Sequence, residues 1–235
     1  MKKQSNLYII IYASILVIVV AAVLSIISTT LKPVQSKNIE LEKKQNILYS
    51  ININSNMKDV EQLYEKHIRA SYIINYKGER VSGNAFNIDL RQEKLKSIEE
   101  QKLPVYESKL DNGDKKIIIP LSGKGLWGSI WGYISFNDDN NTVYGVKFNH
   151  EGETPGLGAQ IATPNFQKQF IGKQIFNSNK KFVSIKLIKA KHESNNIYQV
   201  DAISGGTITS KGLEKMLRNC IACYEIFLIE NKNLK

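Results

Sequence analysis

Asp201-Ala202-Ile203-Ser204-Gly205-Gly206-Thr207-Ile208-Thr209-Ser210 is a small-residue, hydroxyl-rich stretch set between two different periodicities. Upstream, Ile197-Tyr198-Gln199-Val200 is β-branched and aromatic, the composition of a strand. Downstream, Leu213, Met216, Leu217, Cys220, Tyr224, Phe227 and Leu228 return at helical spacing. The stretch therefore reads as a strand-to-helix junction. Adjacent glycines let the backbone approach a ligand closely. The first amides of a helix also direct unpaired N–H groups and the positive end of the dipole into the same space, which suits a phosphate. The same residues equally fit an ordinary turn whose helix is capped by Thr209 or Ser210.

Working outward, Ile130–Phe136 and Thr142–Phe148 are short β-rich runs joined by Asp138-Asp139-Asn140-Asn141, a hairpin signature in an antiparallel sheet, with Ile117–Pro120 as a further strand before them. Thr163-Pro164-Asn165 opens a helix through Phe166 and Phe170, since proline suits the first helical position. Val183–Ile188 reads as a strand ahead of the one that delivers the junction. Met57–Ile68 and then Tyr72–Tyr76 read as helix followed by strand, and Asn38–Ile53 as a partly regular helix. Between Val81 and Leu110 no clear period emerges, with Leu90–Gln101 a charged helix or loop.

The N-terminus has its own physics. Gln4 to Leu31 carries no charged side chain and Tyr8–Ile27 is almost wholly aliphatic, long enough to span a bilayer as a helix that Lys32-Pro33 would end. A cleaved signal peptide would have a shorter apolar centre, whereas here the run continues past Ala21-Ala22; an uncleaved anchor is the reading, with a signal peptide as its alternative. Lys2 and Lys3 before the helix are answered by Lys32, Lys37, Lys43 and Lys44 after it, so charge alone does not orient it. The expected organisation is an anchor at 1–31, a linker and first part of the external domain at 32–110, and the ligand-binding domain at 111–235. The fold class expected is α+β, an antiparallel sheet packed by helices.

The formal charge is +10, but the lysines are scattered among acids and form no stripe with interleaved aromatics, so nucleic acid is not an expected partner. Cys220 and Cys223 are the only cysteines and supply two ligands where a metal site needs four; they read as core side chains, with a local disulfide as the alternative in an external compartment. No catalytic nucleophile or metal site is expected.

Two more strings carry glycines that allow close backbone approach. Glu153-Thr154-Pro155-Gly156-Leu157-Gly158 follows the hairpin, and Gly123-Lys124-Gly125-Leu126-Trp127 precedes it. Each alone also fits a plain turn, and Trp131 a core position. As a set they are specific. Asp201 to Thr209 resembles the flavinylation motif Asp-x-x-Ser-Gly-(Ala/Gly)-Thr-x-(Ser/Thr) of the FMN-binding domains in sodium-translocating NADH:quinone oxidoreductase and the related ferredoxin-linked electron-transport complex. Gly206 stands where that family usually has alanine. The loop from Glu153 to Gly158 matches the family's Glu-Thr-Pro-Gly-Leu-Gly signature residue for residue, and Gly-x-Gly-Leu-Trp is similar to the C-subunit branch.

The resemblance implies a covalent FMN joined through its phosphate to Thr207, with Thr209 as the alternative acceptor and Ser204, Gly205 and Gly206 around the phosphate. It places Thr154, Gly156, Leu157 and Gly158 along the isoalloxazine, with Trp127 and Lys124 near the ring and Glu153 and His150 fixing the loop. It further implies an electron-relay subunit that is not self-sufficient as an enzyme, the other subunits of the complex as partners, a flavin transferase for maturation, and a domain outside the cytoplasmic membrane. The alternatives are the G-subunit of the ferredoxin-linked complex and an anchored external sensor domain without flavin, in which Ser204–Thr207 is only a turn.

Overall fold

The computed structural model describes residues 6–189 and 196–230. Lys2 and Lys3 lie outside the described residues. The chain divides into two units, Met1–Lys43 and Lys44–Lys235.

Helix α1 spans Asn6–Ser50 and is, among the described residues, the one helix long and apolar enough to cross a membrane. Its large apolar side chains from Leu7 to Leu31 are exposed, as a lipid-facing surface would be. Thr29 and Thr30 donate their hydroxyls back to the carbonyls of Ser25 and Ile26, at 2.6 and 3.0 Å, and so satisfy their polar groups within the helix. The expected break at Lys32-Pro33 is not observed: Pro33 lies inside the helix. Proline removes a single i→i−4 bond and crowds one carbonyl, whereas the residues that follow, Gln35, Lys37, Glu40, Leu41, Glu42, Lys43 and Lys44, are strong helix formers that carry the helix onward.

In the second unit a six-stranded antiparallel sheet runs in the order β2-β1-β3-β4-β5-β6. Its strands are β1 Ile68–Ile74, β2 Arg80–Val81, β3 Leu103–Lys109, β4 Lys115–Lys124, β5 Ser129–Phe136 and β6 Val143–His150. The β5–β6 hairpin forms as expected, with a register shift between Ser135 and Phe136. Asp139 nucleates its turn: Oδ1 accepts the amides of Asn141 and Thr142, and Oδ2 accepts the Thr142 hydroxyl at 2.6 Å. Strand β3, in the stretch without a clear period, is covered on both faces along most of its length, so no apolar–polar alternation marks it.

The sheet is packed on both sides. Ile117, Ile119 and Leu121 of β4 enter the main core with Leu213, Met216, Leu217, Cys220 and Ile221 of helix α5, Thr207–Ala222. Ile118, fully buried, faces the other way. At the end of α1, Ile47 and Leu48 are fully buried, and the Ser50 carbonyl accepts the hydroxyl of buried Ser135. A Cβ at Gly145 would stand 2.5 Å from that carbonyl, so a glycine lets β6 approach. The helix α2, Val60–His67, leads into β1, and Leu90–Gln101 forms a short helix α3, Leu90–Glu93, and a single 3-10 turn, Ile98–Glu100. Helix α4, Pro164–Lys168, starts with proline at the first turn and Thr163 as its cap, the hydroxyl accepting the Phe166 amide at 3.4 Å.

A second sheet of two parallel strands, β7 Lys186–Ile188 and β8 Gln199–Asp201, delivers the chain to α5. It is tied to that helix by Glu214, whose Oε2 accepts the Leu187 amide at 2.8 Å. The helical periodicity that ran to Leu228 is interrupted after Ala222; α6, Glu225–Glu230, completes it.

Candidate functional site

The junction folds as a tight turn into α5. Gly206 N donates to Ile203 O at 3.0 Å, and Ser210 reaches back so that its hydroxyl accepts the Ile203 amide at 3.0 Å. Gly205 has φ +73°, a left-handed conformation that glycine adopts without strain. The cap position is Gly206, with no side-chain cap bond, so the helix begins at Thr207 and its first amides keep their free N–H groups. Thr209 and Ser210 are therefore not caps: they are buried inside the first turn. Thr207 is exposed, and Lys211, one turn further along the same face, is exposed too.

The structure brings the three motifs together around one carboxylate. Glu153, 4% exposed, accepts the hydroxyl of Thr209 on Oε2 and the Trp127 amide on Oε1, the latter at 2.9 Å. Its own amide donates to His150 Nδ1 at 3.2 Å, which requires that nitrogen to be unprotonated. Burial by itself pushes the Glu153 carboxyl up, but the hydrogen bonds from the Thr209 hydroxyl and from the Trp127 and Leu126 amides outweigh it and hold the group below its usual value. The glycines of two motifs make room for this arrangement. A Cβ at Gly158 would overlap Glu153 Oε2 and stand 2.5 Å from Thr209 Oγ1, and a Cβ at Gly125 would overlap Glu153 Oε1. Glycine also lets α5 lie against the Gly125 loop, since a Cβ at Gly212 would overlap the Lys124 carbonyl.

The expected site residues thus fall into two sets. Ser204, Gly205, Thr207, Thr154, Gly156, Leu157, Trp127 and Lys124 are exposed around the junction, whereas Gly206, Gly158 and Thr209 are buried beneath it. A Cβ at Gly205 would come within 2.7 Å of Leu157 Cδ2, so the junction and the Glu153–Gly158 loop touch. Leu126 and Ile208, which were not among the expected site residues, join Trp127 and Leu157 as large exposed apolar side chains. The sequence treated Glu153 as a loop fixture; its link to Thr209, 56 positions on, has no local signal. Two clefts, of about 270 and 540 Å³, are lined by other residues and include none of the motifs. Among the described residues no cluster of three or more His, Cys, Asp or Glu side chains is placed to hold a metal. Cys220 and Cys223 are free thiols; Cys220 is buried and donates to Ser122 O at 3.2 Å.

An uncapped helix N-terminus with an exposed hydroxyl at its first residue, bordered by exposed apolar side chains, has the parts to hold a phosphate at one end and a flat ring at the other. Residues 125–222 match the FMN-binding domain family, which defines the class of the domain. The C-subunit of the Na(+)-translocating NADH-quinone reductase from Vibrio vulnificus is 32% identical over 200 residues, covering 78% of each chain. The crystal structure of the C-subunit of that reductase from Parabacteroides distasonis superposes with a TM-score of 0.78 at 42% identity, covering 84% of this chain and 96% of that one. NqrC of Shewanella oneidensis superposes with a TM-score of 0.71 at 25% identity, covering 83% and 98%. The chain belongs to the C-subunit family of the Na(+)-translocating NADH-quinone reductases.

Proposed function

We propose that this chain is an electron-relay subunit whose FMN is joined by a phosphoester to Thr207, in a domain held outside the cytoplasmic membrane by α1. As a member of the C-subunit family it is part of an oxidoreductase complex, with the other subunits of that complex as partners, and its domain binds FMN. The observation that carries the assignment is the contrast between the two threonines: Thr207 is exposed at the first position of an uncapped helix, while Thr209 is buried with its hydroxyl given to Glu153.

FMN, when bound, supplies one- and two-electron redox chemistry. The residues of this chain hold and surround it. The free amides at the start of α5 and the dipole of that 16-residue helix favour the phosphate. Leu157, Leu126 and Trp127 offer apolar surface to the ring and exclude water from it, and Lys124 adds positive charge. Ser204 and Gly205 keep the approach to Thr207 open. A phosphoester fixes the far end of the cofactor, so the loops at Gly125–Trp127 and Thr154–Leu157 set the environment of the ring. A separate flavin transferase forms the bond.

The apolar helix α1 fits a single-pass membrane anchor. An external position for Lys44–Lys235 follows from the tendency of large domains after one N-terminal anchor to cross the membrane regardless of charge. Co-production of the full chain with a flavin transferase should give a fluorescent band under denaturing electrophoresis. Thr207→Ala should abolish it and Thr209→Ala should keep it; the reverse pattern would overturn the assignment. An export-dependent reporter fused after Lys235 should be active, and activity of a cytoplasmic reporter alone would overturn the external placement.

A further inference from the structure

The Glu153 carboxylate is an unusual group to find beneath a flavin site. It is 4% exposed, among the described residues it takes no hydrogen bond from a cationic side chain, and it draws its donors from two separate elements. One oxygen takes the Thr209 hydroxyl from the first turn of the phosphate helix. The other takes the amide of Trp127 in the Gly125 loop. Glu153 itself begins the loop that ends at Gly158. Glycine at 125 and at 158 is what admits the carboxylate, since a Cβ at either position would overlap one of its oxygens. Two of the motif glycines therefore serve this carboxylate, and Gly158 in particular packs under the loop.

We propose that Glu153 is the positioning residue of the flavin site: it clamps the phosphate helix to the two loops assigned to the ring, and its buried negative charge holds the reduction potential of the bound flavin down. The proposal rests on the reading of Thr207 as the FMN attachment point. The clamp follows from hydrogen-bond geometry. The charge follows from electrostatics: a carboxylate satisfied by neutral donors keeps its full charge, and in a water-poor setting that charge disfavours adding electrons to a ring nearby. Its depressed proton affinity means that the charge is present throughout the neutral range.

Two substitutions separate the clamp from the charge. Glu153→Gln keeps the volume, keeps an oxygen for the Trp127 amide and offers an N–H to the Thr209 oxygen, so the clamp survives without the charge. Glu153→Ala removes both. The flavinylated full chain is titrated for its midpoint potential, and the chain made without transferase is followed by hydrogen–deuterium exchange at the Trp127 amide. Glu153→Gln should move the potential positive and leave the Trp127 amide exchanging within about threefold of wild type. Glu153→Ala should also move the potential positive and speed that exchange by tenfold or more. Should the alanine variant fail to fold, Thr209→Val removes one donor while retaining the charge. It should speed the exchange and leave the potential closer to wild type than Glu153→Gln does.

A wild-type potential in Glu153→Gln would overturn the electrostatic role. Unchanged Trp127 exchange in Glu153→Ala, or in Thr209→Val where alanine does not fold, would overturn the clamp. Flavin content, read by mass in every variant, keeps these outcomes apart from a failure of the Thr207 reading: if Thr207 is not the acceptor, Thr207→Ala retains flavin whatever Glu153 does.

Discussion

Adding one methyl group at Gly158 should cost far more than adding one at Gly156, two positions earlier in the same loop. Gly156 has φ +75° and nothing within 4 Å of where its Cβ would be, so alanine there meets only backbone strain. That strain is about 1–2 kcal/mol, partly offset by about 0.4–1 kcal/mol from the stiffer unfolded chain, leaving a net cost near 1 kcal/mol. At Gly158 the new Cβ overlaps Glu153 Oε2 and stands 2.5 Å from Thr209 Oγ1. The carboxylate can escape only by turning away, which breaks the Thr209 bond and weakens the Trp127 bond. A lost charge-assisted hydrogen bond costs about 1.5–3 kcal/mol and overpacking about 1–3 kcal/mol, so Gly158→Ala should lose roughly 3–5 kcal/mol. For a folded unit of this size each kcal/mol shifts the midpoint by about 2–4 °C, giving on the order of 10 °C for Gly158→Ala and about 2–4 °C for Gly156→Ala. Thermal unfolding of the detergent-solubilised chain without flavin, followed by circular dichroism, measures both. Equal midpoints, or a larger loss at Gly156, would refute the claim that Gly158 exists to admit the Glu153–Thr209 pair.

Glu153 also predicts acid sensitivity: its folded proton affinity is depressed, so the stability of the ionised group is fully present above the ordinary value of 4.5 and is lost as pH falls through the lower folded value. Unfolding free energy measured from pH 7 to pH 3 should therefore fall less steeply in Glu153→Gln than in wild type. Leu157→Ala should leave the attachment intact but shift the visible flavin spectrum, because an exposed apolar side chain beside Gly205 is lost and water reaches the ring; an unchanged spectrum would remove Leu157 from the flavin environment. Ser135→Ala should lower the urea midpoint by an amount equivalent to about 1–3 kcal/mol, since the fully buried Ser50 carbonyl loses its side-chain donor at the seam between the end of α1 and the sheet.

Much of this was legible in the sequence because the relevant signals are local. The β5–β6 hairpin announced itself through Asp138–Asn141, α4 through Thr163-Pro164, and the strand-to-helix junction through Gly205-Gly206 between two periodicities. The apolar run from Tyr8 to Ile27 needed only its length. What stayed hidden depended on partners distant in the chain. Strand β3, Leu103–Lys109, is covered on both faces and carries Pro104 inside it, so it shows neither alternation nor a clean strand composition. Pro33 read as a stop because a proline removes a bond, yet the helix formers after it outweigh that single loss. At the site, the sequence could offer Thr207 and Thr209 as neighbours but could not tell the exposed one from the buried one. That difference comes from Glu153 reaching across 56 positions, and from glycines whose missing side chains make room for a carboxylate.

The most direct test of the central claim is site-localised mass spectrometry of the full chain made alongside a flavin transferase in an external compartment. A single modified peptide containing Ser204 to Thr209 should be found, heavier by FMN less one water, with fragment ions placing the entire increment on Thr207. An increment on Thr209, an unmodified peptide in a folded and transferase-exposed chain, or an increment that persists in Thr207→Ala would contradict it.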